Sequence, residues 1–180
     1  MATLKKHPFD VKLELLNTDA ELMAFSEEAL SGKVITLDMT KFLKGTSAEA
    51  KFIIRKNEKL EGKIYKFMLY PSYVRRMISH NISIVEDSFV VKAKDCDIRV
   101  KPFLITRKRV HRAVRNALRE AAKDFLEKNM TTKPRDKAFQ SILAGIMQRM
   151  MSIKLKKIYP LAVCEIRVLE VVKPGETIKA

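Results

Sequence analysis

The chain predicts an α+β fold: a central antiparallel, barrel-like β-sheet flanked by α-helices, with two longer C-terminal helices and a closing strand. Three observations carry that expectation. Residues 9–106 are mostly short stretches in which apolar and polar side chains alternate, the period of a half-buried strand. Residues 107–158 change to three-and-four spacing, the period of an amphipathic helix. Residues 159–172 return to alternation.

The elements follow in order. FDVKLELL (9–16) sets Phe9, Val11, Leu13 and Leu15 against mostly charged neighbours and reads as a strand. TDAELMAFSEEAL (18–30) reads as an acidic amphipathic helix, capped by Thr18 or Asp19 and broken at Ser31-Gly32. KVITLD (33–38) is a strand, followed by a turn through Lys44-Gly45. AKFIIRK (50–56) and GKIYKFMLY (62–70) are two more, with Gly62 marking their connection, and Pro71 suits the first residue of a short helix, PSYVRRMIS. NISIVED, SFVVKAKD and DIRVKPFLIT are three strands parted by polar turns at Asp87-Ser88 and Asp95-Cys96-Asp97. A meander of this kind predicts a sheet that curls into a barrel and hides its edges.

From Arg107 to about Asn129 the spacing of Val110, Ala113, Val114, Ala117, Leu118, Ala121, Phe125 and Leu126 predicts one buried helical face. After the loop MTTKPRD, a second helix has the seam Phe139, Ile142 or Leu143, Ile146, Met150 and Ile153. Pro160 stops it, and VCEIRVLEVV is the closing strand before a tail opened by Pro174-Gly175. Length and composition suit a single domain over 1–180: a short basic arm (1–8), a mostly β part (9–106), a helical part (107–158), the closing strand (159–172) and a loose tail (173–180). There is no internal repeat and no low-complexity tract.

Hydrophobic residues make up 47% of the chain, with five Gly and six Pro, enough apolar material for a core. Cys96 and Cys164 stand alone, without Cys or His at metal-ligand spacing, and read as small buried residues of a reduced compartment. The N-terminal MATLKKHPFD lacks the apolar stretch of a signal peptide, and no window approaches the ~18 apolar residues of a membrane span. A cytoplasmic protein is expected, with no membrane partner, no cofactor and no metal.

The charge distribution points to the function. Thirty-six Lys and Arg against twenty-one Asp and Glu give +15. Residues 1–31 hold three of the bases and six of the acids, so the excess lies beyond them. Arg99, Lys101, Arg107, Lys108, Arg109, Arg112, Arg115 and Arg119 follow one another without an acid, the first one downstream being Glu120. A solvated helix interleaves both signs, because like charges three or four apart repel. A block this one-sided fits a polyanion, and Arg suits bidentate phosphate contacts better than Lys. An acidic protein partner is the competing reading. Arg75-Arg76 and the Lys154, Lys156, Lys157 group are further candidate contacts, and Tyr65, Tyr70 and Tyr73 serve either as core or as stacking platforms. No phosphate-binding Gly-rich loop, nucleophile elbow or zinc-protease helix is present, and His7, His80 and His111 have no local catalytic partner. The chain does not read as an enzyme.

Two segments carry a resemblance. DCDIRVKPFLITRKRVHRAVRNALRE resembles the strand, basic turn and helix of the archaeal and eukaryotic small-subunit ribosomal protein family e-S-one (older name S-three-a-e), and KKIYPLAVCEIRVLEVV resembles its closing segment. YVRRMISHNISIVEDSFVVKAKD is similar to the family's basic helix and paired strands, so the likeness spans roughly residues 32–172. The chain departs from the pattern at Cys96-Asp97, where a Gly-Tyr pair is usual, at the basic Lys108-Arg109-Val110 entry to the helix, and at an N-terminal arm cut to Lys5-Lys6. The resemblance implies a structural protein of the small ribosomal subunit, on the platform near the mRNA exit and the 3′ end of the rRNA. Its implied partners are that rRNA, neighbouring small-subunit proteins and mRNA at the exit. The expected rRNA-binding residues are Arg75, Arg76, Arg99, Lys101, Arg107, Lys108, Arg109, Arg112, Arg115, Arg119, Lys154, Lys156 and Lys157. A free-standing RNA-binding regulator of translation is the alternative, and an RNA-acting enzyme without a recognisable motif the third reading.

Overall fold

The first alternating stretch forms β1 (His7–Leu13), which pairs antiparallel over its whole length with β2 (Thr18–Ala24). These assignments come from a computed structural model, which describes residues 6–13, 15–16, 18–43, 45–56 and 60–172. Residues 1–5 of the expected arm (1–8) and the expected tail after Val172 lie outside the described residues, as does Lys44 of the expected turn, while His7 and Pro8 of the arm already belong to β1.

The acidic helix expected over 18–30 is not formed. Its first half is β2 and its end is a single 3₁₀ turn, Glu28–Leu30. The same residues also have period two: Ala20, Leu22 and Ala24 face inward while Asp19, Glu21 and Met23 face out. Pairing with β1 decides between the two periods, since a strand beside an existing strand satisfies its backbone groups at once. The break at Gly32 stands, with φ +78° in the left-handed region.

β3 (Val34–Asp38), β4 (Ala48–Lys56) and β5 (Leu60–Leu69) form an antiparallel run. Gly62 lies inside β5, not at a connection, and its lack of a side chain has a cause. β1 runs parallel to the start of β5, with Leu13 opposite Gly62. A Cβ at that glycine would stand 2.5 Å from Leu13 Cδ2.

α1 (Pro71–Met77) begins with proline at its first position, as expected. β6 (Ile84–Glu86) and β7 (Phe89–Lys92) both pair with β8 (Asp97–Thr106), and β8 pairs along its length with the closing strand β9 (Leu161–Val171). Pro102 cannot donate a ladder hydrogen bond, and the register accommodates it on both sides. β7 pairs with residues 97–100 and β6 with 103–105, which leaves Pro102 between them. On the other edge the register slips: Lys101 faces Val168 and Pro102 faces Ile166, so Arg167 is the extra residue of a bulge.

Among the described residues nine strands form one sheet in the order β2-β1-β5-β9-β8-β6, with β4 also on β5, β3 on β4 and β7 on β8. It is not a closed barrel. β3 pairs only with β4, and β6 and β7 only with β8, so the expected circle of strands stays open. Three of the edge strands, β3, β6 and β7, are short at three to five residues, which limits the unpaired backbone they present, and the longer edge strand β2 carries Asp19 and Glu21 on its exposed side.

The helical third departs from expectation in phase. α2 (Arg112–Thr131) starts five residues later than the charge block suggests and buries Leu118, Ala122, Phe125, Leu126 and Met130. The second expected helix is two, α3 (Arg135–Leu143) and α4 (Ile146–Leu155), parted at Gly145 with φ +70°. That left-handed residue turns the axis and resets the face. Phe139 and Ile142 are buried as expected, but α4 buries Met147, Met151 and Leu155, while Ile146, Met150 and Ile153 are exposed. α2 packs on β6 and β7, α4 on β9 and α2, and α3 on α4 and β5. Phe52, Phe103, Leu104, Leu118, Leu126, Phe139 and Ile166 meet between the sheet and these helices, all fully buried.

Candidate nucleic-acid interface

The basic turn between β8 and α2 is held by a pair of hydroxyl residues far apart in sequence. Thr106, fully buried at the end of β8, receives the Ser83 backbone N–H on its Oγ1 at 3.0 Å. Its own N–H donates to the Ser83 carbonyl at 3.0 Å. The Thr106 hydroxyl also lies 2.7 Å from the Lys108 carbonyl, and the Val110 N–H donates to Ser83 Oγ at 3.1 Å. The last two claim backbone groups that a helix through 107–111 would have used, the Lys108 carbonyl and the Val110 N–H, so helix formation is deferred to Arg112. Arg107, Lys108 and Arg109 are thus not a helical face with Arg112 and Arg115. They project from a pinned turn that leads into it, and all five side chains are exposed.

Among the described residues none of these five forms an ion pair or a side-chain hydrogen bond. The first turn of α2 has no acidic residue and no side-chain cap, with His111 in extended conformation before it. The N-terminal end of a helix carries positive partial charge, so unpaired arginines there are unfavourable to the free protein and favourable to a bound anion.

The remaining candidates divide by environment. Lys156 and Lys157 are exposed just after α4, in the segment whose Pro160 carbonyl accepts from the Arg107 N–H at 3.4 Å. That contact brings the C-terminal lysines toward the basic turn. Lys154 lies over the Phe125 ring of α2, 5.5 Å from its centre. Arg75 and Arg76 are exposed on α1, with Arg76 5.6 Å from the Tyr73 ring centre. α1 is a separate element, joined to the basic turn through the segment that ends at Ser83.

Two members of the block are engaged within the protein and a third is half-buried. Arg99 lies 3.9 Å from Glu170, which also receives Lys66 at 3.4 Å. Arg119 donates to Asn116 Oδ1 at 2.9 Å and to the Glu86 carbonyl at 3.5 Å. Lys101 is half-buried in a cleft of about 490 Å³ beside Glu86, Arg167 and Glu170, where Arg167 contacts both Glu86 carboxylate oxygens at 3.1 Å. The stretch is free of acids only along the chain. Folding supplies Glu86 from β6 and Glu170 from β9. Tyr65 belongs to the same patch, its hydroxyl 3.4 Å from Glu170, and Tyr73 packs against the core.

Sequence reasoning missed a second concave feature. A cleft of about 630 Å³ lies between the α3–α4 turn, β9, β5 and the segment around Phe42. It holds Gln148, Arg149, Cys164 and Glu165. Burial pushes the Glu165 carboxyl above its usual range, against the opposing effect of the Gln148 amide. Burial also pushes the Cys164 thiol up to about 12, so it stays protonated and inert. Nothing in the local sequence around Gln148 marks it, since the residues converge from distant segments. Among the described residues no three His, Cys, Asp or Glu side chains gather as metal ligands.

Residues 10–175 match the Ribosomal S3Ae family. The chain belongs to that family. Small ribosomal subunit protein eS1 of Nanoarchaeum equitans is 27% identical over 161 residues, which cover 84% of this chain and 81% of the relative. The eS1 protein of Saccharolobus islandicus is 26% identical over 129 residues, 71% of this chain and 62% of that protein. That of Sulfolobus acidocaldarius is 27% identical over 117 residues, 64% and 59% respectively. Membership of the Ribosomal S3Ae family bears out the resemblance read from the sequence and carries a structural ribosomal role, not an enzymatic one. No helix among the described residues is long and apolar enough to cross a membrane.

Proposed function

We propose that this chain is a cytoplasmic structural constituent of the small ribosomal subunit that folds as a single domain and grips rRNA through the basic turn and the first turns of α2. Arg107, Lys108, Arg109, Arg112 and Arg115 make the principal phosphate contacts, extended by Lys156 and Lys157. Arg75, Arg76 and Lys154 add peripheral ones. Arg99, Lys101 and Arg119 contribute less, because Arg99 is paired with Glu170, Lys101 is half-buried in the cleft beside Glu86, and the Arg119 side chain is held by Asn116 and the Glu86 carbonyl. The family's place on the platform, with neighbouring proteins and mRNA close by, is the setting in which this surface works.

One observation carries the reading. Five exposed cations without an ion-pair partner among the described residues surround the uncapped positive end of a 20-residue helix. In the free protein they repel one another and the helix dipole, and a phosphate backbone removes both penalties. Recognition then follows the shape of folded RNA more than its sequence.

Sedimentation tests it. The chain should travel stoichiometrically with the small ribosomal particle through a salt-washed gradient. Sub-stoichiometric, readily lost association would instead mark a free-standing regulator.

A further inference from the structure

We propose that the cleft between the α3–α4 turn and β9 is a nucleobase pocket that accepts an unpaired guanine of the RNA, read by Glu165, which the Gln148 amide positions. The proposal rests on the RNA-binding reading above and adds a site with base preference to it.

The argument starts from donors and acceptors. The Gln148 amide nitrogen donates to the Ile142 carbonyl at 3.0 Å and reaches a Glu165 oxygen at 3.5 Å. Its amide oxygen is fully buried, and no donor among the described residues reaches it. Turning the amide over would set oxygen against both the Ile142 carbonyl and the Glu165 carboxylate, so the orientation is determined by its neighbours. Glu165 has no cation within ion-pair distance among the described residues. The cleft therefore presents the Glu165 carboxylate as an acceptor edge, one of its oxygens shared with the Gln148 amide, while the buried Gln148 oxygen lies behind that surface, in a setting where an unpaired acceptor is costly.

A ligand that fits must bring donors. Guanine offers N1–H and the N2 amino group side by side, a row that matches a carboxylate edge. Adenine, cytosine and uracil lack that row. Both apolar walls and a charged rim are present: Phe67 and Leu69 are buried in the lining, while Phe42, about half exposed, stands at the mouth as a surface on which a base can stack. The volume of about 630 Å³ admits a nucleoside. Arg149, exposed in the lining, and Lys41, exposed beside Phe42, place positive charge where the attached phosphates would run. The same two cations disfavour the other donor-rich occupant, an arginine side chain from a neighbouring protein.

Binding of fluorescent single-stranded heptamers to the full chain tests the proposal. The probes are uridine heptamers with a central guanosine, inosine or adenosine. The guanosine probe should bind roughly 10- to 100-fold tighter than the adenosine probe, the range for one bidentate base contact, with inosine, which lacks the N2 amino group, between them. Glu165→Gln should abolish the difference while leaving affinity for the adenosine probe unchanged, and Gln148→Leu should reduce it. The Gln148 variant keeps the test valid if the Glu165 variant unfolds. Equal, salt-dependent affinity for all three probes would overturn the pocket and leave the phosphate reading standing. No binding of any probe or of rRNA would overturn both. Guanidinium compounds that protect Glu165 in amide-exchange or NMR measurements, without any guanosine preference, would assign the cleft to a protein side chain and overturn the proposal.

Discussion

Replacing Arg112 and Arg115 together by Ala separates phosphate binding from folding, and its size can be worked out from the structure. Seven cations form the proposed contact: Arg107, Lys108, Arg109, Arg112, Arg115, Lys156 and Lys157. Each phosphate neutralised on irregular RNA contributes about −0.7 to the slope of log affinity against log salt, so the parent slope should be about −5. Removing two contacts reduces its magnitude by about 1.4. The parent's advantage over the double variant should accordingly shrink about 25-fold for each tenfold rise in salt. The free protein should not suffer. Both side chains are exposed, Ala is the best helix former, and removing cations from the positive end of a helix is favourable by a few tenths of a kcal/mol. Filter binding of small-subunit rRNA across a potassium chloride series measures the slope, and thermal unfolding measures the fold. Arg99→Ala with Arg119→Ala is the matched control, also two charges but already engaged by Glu170 and Asn116. It should move the slope by much less. An unchanged slope in the first double variant, or a larger change in the control, would refute the division of the basic block made here.

Two further outcomes test the frame around the site. Ile166, fully buried on β9 opposite Pro102, should cost about 2–5 kcal/mol when truncated to Ala, with rRNA affinity unchanged well below the unfolding midpoint; unaltered stability in urea titration would remove β9 from the core. Glu165 concerns pH: burial raises its carboxyl in the folded state, so the protonated form stabilises the fold, fully below the unfolded value, and that contribution is lost as pH rises through the raised folded value. Glu165→Gln should therefore be more stable than the parent at neutral pH and lose the advantage in acid, and parallel stability profiles from denaturation at each pH would contradict it.

Much of the molecule follows from periodicity and punctuation along the chain. The strands within 84–106, the short helix at Pro71 and the closing strand are legible because alternation, turn residues and proline act over a few neighbouring residues. The family and the nucleic-acid reading are legible too, since the RVKP strand, the KKIYPL segment and an acid-free run of arginines are properties of order and composition. Other features rest on contacts between distant residues, and no local pattern contains them. Residues 18–24 have both helical and strand periods, and only the neighbouring β1 decides for the strand. Gly145 could pass as an ordinary residue of one long helix. Its left-handed conformation turns the axis, buries Met147 and Met151, and leaves Ile146, Met150 and Ile153 outside. The sheet stays open because β3 and β6 find no second strand partner among the described residues, which no strand pattern foretells. The basic block is uniform as sequence but divided in space: Glu170 pairs with Arg99, the Glu86 carbonyl and Asn116 hold Arg119, and Lys101 is half-buried in the cleft between the strands, while Ser83 pins the turn that exposes Arg107, Lys108 and Arg109. Charge and pattern are additive along a chain and can be read there. Which charges remain free is a matter of pairing across space, and only the tertiary structure decides it.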